Sequence, residues 1–341
     1  MTMTDKPASE KPDRTRRSLL GAAISTALAT SVGLPIRQAC AQTGDAFPSR
    51  PITLWVPWPA GGATDQTLRL LADLAGHQLG QKVQVNNRSG ASGTLAMPIL
   101  QQATSDGYTI AQMPQPVLRA PHLQKLLWDP VRDTTPIIQL SGVTFGMLTH
   151  PGSGLKSLDE VFAYARAHPN ALTVATNGVG TTPHLVMEEL MARKGLTYVH
   201  VPYKGTSEQV LALTAGHVAV GLNSTGFAPF VDRGALRLLL TLGEQRSRRW
   251  PQVPTLKELG HGLVAMSPYG LAGPRGMPAA VVSALHDAFK AALHDPMHVA
   301  ELAKYDQEVT YLGPDDYGRA LRDGFAAERI NVERLGLSRG G

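Results

Sequence analysis

Two periods of hydrophobic and polar positions alternate along this chain. Short apolar runs such as Ile-Thr-Leu-Trp-Val at 52–56 lead into segments whose apolar residues recur every three or four positions, the pattern of a strand feeding an amphipathic helix. After 52–56, residues Leu68, Leu71, Ala72, Ala75 and Leu79 share one helical face, and Gly80 closes it. Residues 82–87 read as a strand, 95–103 as a helix, and 108–113 as a strand after the turn Asp106-Gly107. A second series starts near His150. Ser157 and Glu160 have capping-box spacing before a helix at 161–168. A strand at 172–177, a helix at 183–194, a strand at 196–201, a helix at 207–215 and a strand at 217–222 follow in order. From Tyr269 the tail reads as a strand returning to the first half, then a helix, a further strand and a long terminal helix.

This repeated grammar predicts an α/β protein with two open, mostly parallel sheets. Two crossings, near 145–150 and 265–270, would join two lobes over a cleft. No repeat of the length that marks a solenoid is present.

The first 41 residues stand apart from that pattern. Arg16 and Arg17 precede an apolar run at 21–34, and Ala-Cys-Ala ends at Ala41; this order predicts a twin-arginine secretory signal cleaved after Ala41 and a periplasmic mature protein. Gly, Ser and Thr interrupt the run, which falls short of the roughly 20 apolar residues of a membrane anchor. The single cysteine, Cys40, lies in this segment. A mature protein without disulfides needs a large core, which about 300 residues supply as two domains. The whole chain carries a formal charge of +5, but outside residues 1–41 it has 26 basic and 24 acidic side chains, a net of +2. With no basic stripe interleaved with aromatics, the composition argues against nucleic acid as a partner.

Candidate chemistry sits where strands turn into helices. At 56–70 the residues Gly61, Gly62 and Ala63 leave backbone N–H groups accessible at a helix start, which suits a carboxylate or phosphate. Thr64 is the expected N-cap, and Asp65, which would repel an anion, is expected to turn aside and brace the loop. A matching turn at 176–185 carries Asn177, Gly178 and Gly180, with Thr181, the expected cap Thr182, and Pro183 as the first helical residue. Two such starts facing one cleft would form a carboxylate clamp. The same turn lacks the third Gly and the following acid of a dinucleotide site.

At 201–209, Thr206 and Gln209 again have capping-box spacing. Tyr203 there either walls a pocket or packs in the core, and Lys204 either attracts an anion or is solvated. Asn223 and Ser224 end a strand near the same cleft. His184 is either a ligand donor or a packing residue of its helix. His294 and His298 have the spacing of a metal pair, but Pro296 between them argues for a surface pair instead. No hydrolase elbow, zinc-protease or phosphate-loop motif is present. No catalytic residue, metal or cofactor is therefore expected.

These residues resemble the Bug or TctC family, the extracytoplasmic solute receptors of the tripartite tricarboxylate transporter system. The resemblance runs in order through residues 47–65 (FPSRPITLWVPWPAGGATD), 85–93 (VNNRSGASG), 106–110, 128–137, 184–190, 199–205 (VHVPYKG), 252–260 and 269–278 (YGLAGPRGMP). It implies a two-lobed periplasmic binding protein of the Venus-flytrap, type II-like kind, with lobe 1 at 42–147 plus 268–341 and lobe 2 at 148–267. It implies no enzyme but a monomeric receptor that captures a small organic carboxylate and passes it to the transporter's membrane subunits. By motif position, the implied ligand contacts are Gly61, Gly62, Ala63, Thr64 and Asp65 in lobe 1. In lobe 2 they are Asn177, Gly180, Thr181, Thr182 and His184, with Tyr203, Lys204, Gly205, Asn223 and Ser224. Where relatives often carry Asp-Ser, this chain has Asn223-Ser224, one negative charge fewer. The alternatives are a sensing domain that docks on a sensor kinase, and a hydrolase or isomerase on a similar scaffold.

Overall fold

The structure is a computed structural model that describes residues 47–337. The predicted signal, its cleavage site and Cys40 lie outside the described residues.

Strand β1 (Ile52–Val56) leads into α1 (Ala63–Leu79), which ends where Gly80 takes the left-handed conformation at φ 64°. Strand β2 (Val83–Asn87), α2 (Ala96–Gln102), β3 (Thr109–Met113) and α3 (Gln115–Leu123) complete the first run. The next strand, β4 (Thr134–Thr149), is sixteen residues long. The second run is α4 (Leu158–Ala167), β5 (Thr173–Thr176), α5 (Thr182–Lys194), β6 (Val199–Pro202), α6 (Thr206–Thr214), β7 (Val220–Ser224), α7 (Ala228–Asp232) and β8 (Arg237–Thr241). The chain returns through β9 (Met266–Pro274), α8 (Ala279–Leu293), α9 (Pro296–Ala303), β10 (Val309–Leu312) and α10 (Pro314–Arg334).

The strands are ordered β2-β1-β3-β9-β4-β7-β5-β6, with β8 and β10 also paired to β4. Strand β1 runs parallel to β2 and β3, and β5 runs parallel to β6 and β7, as the alternation predicts. Between these parallel trios stand β4 and β9, which are antiparallel to their neighbours and make the sheet mixed. Strand β4 belongs to both halves: residues 134–144 pair with β9, and 145–149 with β7 and β8. The first crossing is therefore a change of partner inside one strand at Thr144–Phe145. The second lies at 265–266, where Ala265 N–H donates to Leu242 O and Met266 pairs with Thr144.

The hydropathy pattern hides β4 because Pro136, Gly142 and Gly146 interrupt it. The ladder tolerates Pro136 because its register shifts between Pro136 and Ile138. Opposite, Gly270 is required by close approach, since a Cβ there would lie 2.3 Å from Ile138 O. Each half has its own core. Leu68, Leu71 and Ala75 of α1 meet Leu285 and Phe289 of α8 in the first, and Val161, Phe162, Met187 and Leu190 of α4 and α5 fill the second. Fully burying one such side chain contributes about 1.5–3 kcal/mol.

Candidate functional site

Both parallel trios turn their carboxyl ends toward one cavity, the position where open α/β sheets present ligand sites. Trp58, Pro59 and residues 62–65 follow β1; Gln112, Pro114 and Pro116 come from the end of β3 and the start of α3. Across from them are Asn177 and residues 181–183 after β5, Thr206 and Ser207 after β6, and Ser224 at the end of β7. Val143 and Phe145 of β4 and Ser267 and Tyr269 of β9 line the space between the halves. Among the described residues no Lys, Arg or His lines the cavity, and Asp65 is the one charged residue that does.

Four helices, α1, α3, α5 and α6, begin at this cavity, with N-cap residues Gly62, Pro114, Thr181 and Gly205. None of these starts has a side-chain cap. Ser157 and Asp295, by contrast, cap α4 and α9, which begin elsewhere. Helices α8 and α10 also start uncapped, so convergence, rather than the lack of a cap, distinguishes the cavity. The arrangement turns four positive dipole ends, and at α1, α5 and α6 first-turn N–H groups, toward a space that holds no cationic side chain; the α3 residues that line it, Pro114 and Pro116, carry no N–H.

Asp65 explains the shape of the first loop. Its Oδ2 accepts from Gly61 N–H (2.8 Å) and Arg69 Nε (2.9 Å), and its Oδ1 accepts from Asn87 Nδ2 (2.8 Å). Burial pushes this carboxyl up, but the bonds from Arg69, Gly61 and Asn87 outweigh burial and hold it below the ordinary carboxylate value. The expected brace is thus present. Because Asp65 clamps Gly61 (φ 81°), the helix begins at Ala63 and Gly62 is the N-cap, which corrects the expectation for Thr64. Thr64 lines the cavity from the first turn instead.

The second loop is shifted by one residue in the same way. Thr181 is the N-cap of α5, and its hydroxyl donates to Gly178 O (2.7 Å) rather than capping; Thr182 is the first helical residue, in place of Pro183. The third loop has no capping box. Thr206 Oγ1 lies 2.7 Å from Ser224 Oγ, and Gln209 Nε2 donates to Ala175 O (2.7 Å) and Leu222 O (3.1 Å), tying α6 to β5 and β7. At α4 the Ser157 half of the box forms, its hydroxyl accepting from Glu160 N–H, while Glu160 reaches back one residue past the cap to Lys156 N–H.

Of the residues singled out in the sequence, Gly62, Ala63, Thr64, Asp65, Asn177, Thr181, Thr182 and Ser224 meet at the cavity. The others support it or stand apart. Gly61 holds Asp65, and Gly180 (φ 73°) donates its N–H to His184 Nδ1 (3.1 Å). His184 stacks on His200 at 4.1 Å and lies 3.5 Å from Glu188. Tyr203 packs in the second half's core, Lys204 is exposed, and Gly205 abuts Pro59, where a Cβ would come within 2.5 Å. Asn223 is buried in β7 outside the lining.

Burial, then the charge of His184, lowers the pKa of His200 to about 4. Burial also lowers His184, partly offset by Glu188. His298 is buried rather than on the surface, because Asp295 and Pro296 start a new helix after His294 and turn it inward. Among the described residues no cluster of metal-ligating side chains is present.

The halves also touch through residues next to the cavity lining. Ser92 Oγ donates to Val179 O at 2.7 Å, and Arg119 of α3 donates to Gly180 O at 2.9 Å and to Thr182 Oγ1 at 3.3 Å. Sequence reasoning missed Trp58, Gln112, Phe145 and Tyr269. The first two sit just beyond or at a strand's carboxyl end, a signal that was available; the last two come from the long antiparallel strands, which carried none.

The family model described as tripartite tricarboxylate transporter family receptor matches residues 67–337. The chain is 44% identical over 324 residues to the "UPF0065 protein in gbd 5'region" of Cupriavidus necator, covering 95% of this chain and 99% of that one. Among solved structures it is similar to the periplasmic binding protein BugD, at a TM-score of 0.82 and 25% identity over 86% of this chain and 100% of that chain. It is similar also to MatC from Rhodopseudomonas palustris with bound malate, at a TM-score of 0.79 and 27% identity over 84% of this chain and 100% of that chain. The two-lobed α/β architecture is thus that of periplasmic binding proteins. The chain belongs to the tripartite tricarboxylate transporter receptor family.

Proposed function

We propose that this protein is a periplasmic solute receptor that captures a small organic carboxylate in the cleft between its halves and delivers it to the membrane subunits of a tripartite tricarboxylate-type transporter. The observation that carries the reading is the convergence of four helix starts on a cavity without a cationic side chain. Such a site favours an anion through backbone N–H groups and helix dipoles. The N–H groups of Ala63 and Thr64 face those of Thr182 and Ser207 in this reading, with the hydroxyls of Thr64, Thr181, Thr182, Thr206 and Ser224 beside them. The malate bound by the related MatC is a small organic carboxylate.

Catalysis is not part of the proposal. The lining hydroxyls have no histidine beside them in the cavity, and the one lining carboxylate, Asp65, is engaged by Gly61, Arg69 and Asn87. Lobe 1 comprises 42–147 plus 268–341 and lobe 2 comprises 148–267, and the lobes rotate about the strand crossings as a monomer. Export through the predicted signal places the mature chain in the periplasm.

A thermal-shift screen of the mature protein tests the reading, since a ligand that binds only the native state raises its melting temperature. Small carboxylates are expected to raise it and their neutral amides or esters are not. A response to the neutral analogues alone would overturn the proposal.

A further inference from the structure

Gln112 Oε1 and Asn177 Oδ1 are buried without a hydrogen-bond partner. Both residues line the cavity, at 2% and 9% exposure, one at the end of β3 in the first half and the other just past β5 in the second. A buried amide atom left unpaired has lost its hydrogen bonds to water without replacing them, which is costly. Unpaired amide atoms occur also at Gln209, Asn223 and Gln307, none of which lines the cavity. Gln112 and Asn177 alone among these amides meet whatever the cleft encloses.

We propose that the ligand is a monocarboxylate bearing one uncharged hydroxyl or carboxamide group, and that Gln112 and Asn177 recognise that group from opposite halves. This rests on the cleft being the carboxylate site. An amide side chain offers one donor and one acceptor face whichever way it is turned. Its complement is a group that both donates and accepts, as a hydroxyl or carboxamide does. A second carboxylate only accepts, and it would meet no Lys or Arg in the lining. An ammonium only donates, and the one lining carboxylate already accepts from three structural donors. Four positive helix ends would also oppose a cation. Trp58, Pro59, Val143 and Phe145 leave apolar wall for the carbon skeleton between the two polar ends.

Calorimetry on the mature protein tests this with matched sets of three to six carbons: the plain monocarboxylate, its hydroxy derivative, its carboxamide, the dicarboxylate and the amino acid. At the preferred length the hydroxy or carboxamide member should bind at least about tenfold more tightly than the others. Gln112→Met and Asn177→Leu, checked for unchanged circular dichroism, should each erase that preference, so that the hydroxy or carboxamide member binds no more tightly than the plain monocarboxylate in the same variant. A wild-type preference for the dicarboxylate or amino acid, or equal affinity across a set, would overturn the inference while the carboxylate reading stands. Equal loss of every ligand in both variants would make the amides structural and overturn it as well. Failure of every carboxylate to bind would overturn the parent reading.

Discussion

Arg119 on α3 grips Glu328 on α10 through two hydrogen bonds, of 2.6 and 2.8 Å, and with the same guanidinium reaches Gly180 O and Thr182 Oγ1 at the start of α5. Both side chains are buried, and Gln115 Nε2 also donates to Glu328 at 2.7 Å. The ion pair lies wholly in the first half, so it holds the guanidinium ready and the bonds into the second half form with little further ordering. Arg119→Met leaves a buried carboxylate without its cation and should cost about 3–5 kcal/mol of stability. Adding Glu328→Met should recover most of that loss. The double variant still lacks the bonds to Gly180 and Thr182, so its ligand affinity should stay about tenfold below wild type. Denaturant unfolding and calorimetry measure the two effects separately; wild-type affinity in the double variant would deny Arg119 a part in closure.

Asp65 braces the first loop, and Asp65→Asn removes its charge with little change in shape. One acceptor oxygen is replaced by a donor that faces donors, so ligand affinity should fall by about 1 kcal/mol through loosening of the loop. The native contribution of Asp65 has a defined pH window. Its pKa is lowered in the folded protein, so its stabilisation is complete above the ordinary carboxylate value and is lost as pH falls through the lowered one. The difference in unfolding free energy between wild type and Asp65→Asn should therefore shrink below about pH 4. A difference that grows on acidification would contradict the brace.

The βαβ trios and the loops at Gly61–Asp65 and Asn177–Thr182 were legible in the sequence because strand and helix periods there are clean and Gly or Pro marks each turn. Strand β4 was not, since Pro136 and two glycines break its period, and its role depends on pairing with β9, far downstream, at Pro136–Ala272 and nearby positions. The starts of α5 and α6 lie one residue, and that of α1 two residues, before the caps assigned to Thr182, Thr206 and Thr64, because the fold spends the Thr182 hydroxyl on Arg119 and the Thr206 hydroxyl on Ser224 while Asp65 shapes the first loop. Tyr203 and Lys204 lie next to the right loop, but strand direction turns one into the core and the other into solvent.

His200 provides an acid-sensitive contact behind the second loop. Its Nε2 lies 2.7 Å from Thr176 Oγ1, and Gly178 N–H donates to that same hydroxyl oxygen at 3.3 Å. Burial and His184 lower its folded pKa to about 4, below the ordinary imidazole value of 6.5. The unfolded chain therefore binds more protons in that window, and stability is full above pH about 6.5 and lost as pH falls toward 4. His200→Gln should show a shallower decline than wild type between these limits, followed by chemical denaturation at stepped pH. An identical decline would mean that other groups carry the acid sensitivity.

The crossing at 144–145 lies within the continuous strand β4 and the one at 265–266 at the start of β9, and the proposed closure turns about these two points. Small-angle scattering should show a smaller radius of gyration at saturating carboxylate than in its absence. An unchanged radius despite measured binding would show that the halves do not move apart when the cleft is empty.

The decisive comparison is calorimetric titration of a small carboxylate into the mature wild type and into Gly62→Val. Gly62 has an ordinary φ of −78°, and a Cβ there would find only Pro59 O within 4 Å, at 3.8 Å, so the backbone accommodates a Cβ at this position. The added methyls stand at the start of α1, where a carboxylate oxygen must come within about 3 Å of an N–H group. The expected result is clear heat of binding in the wild type and none in Gly62→Val, with circular dichroism and melting unchanged. Undiminished affinity in a folded Gly62→Val would place the carboxylate elsewhere and contradict its capture at these helix starts.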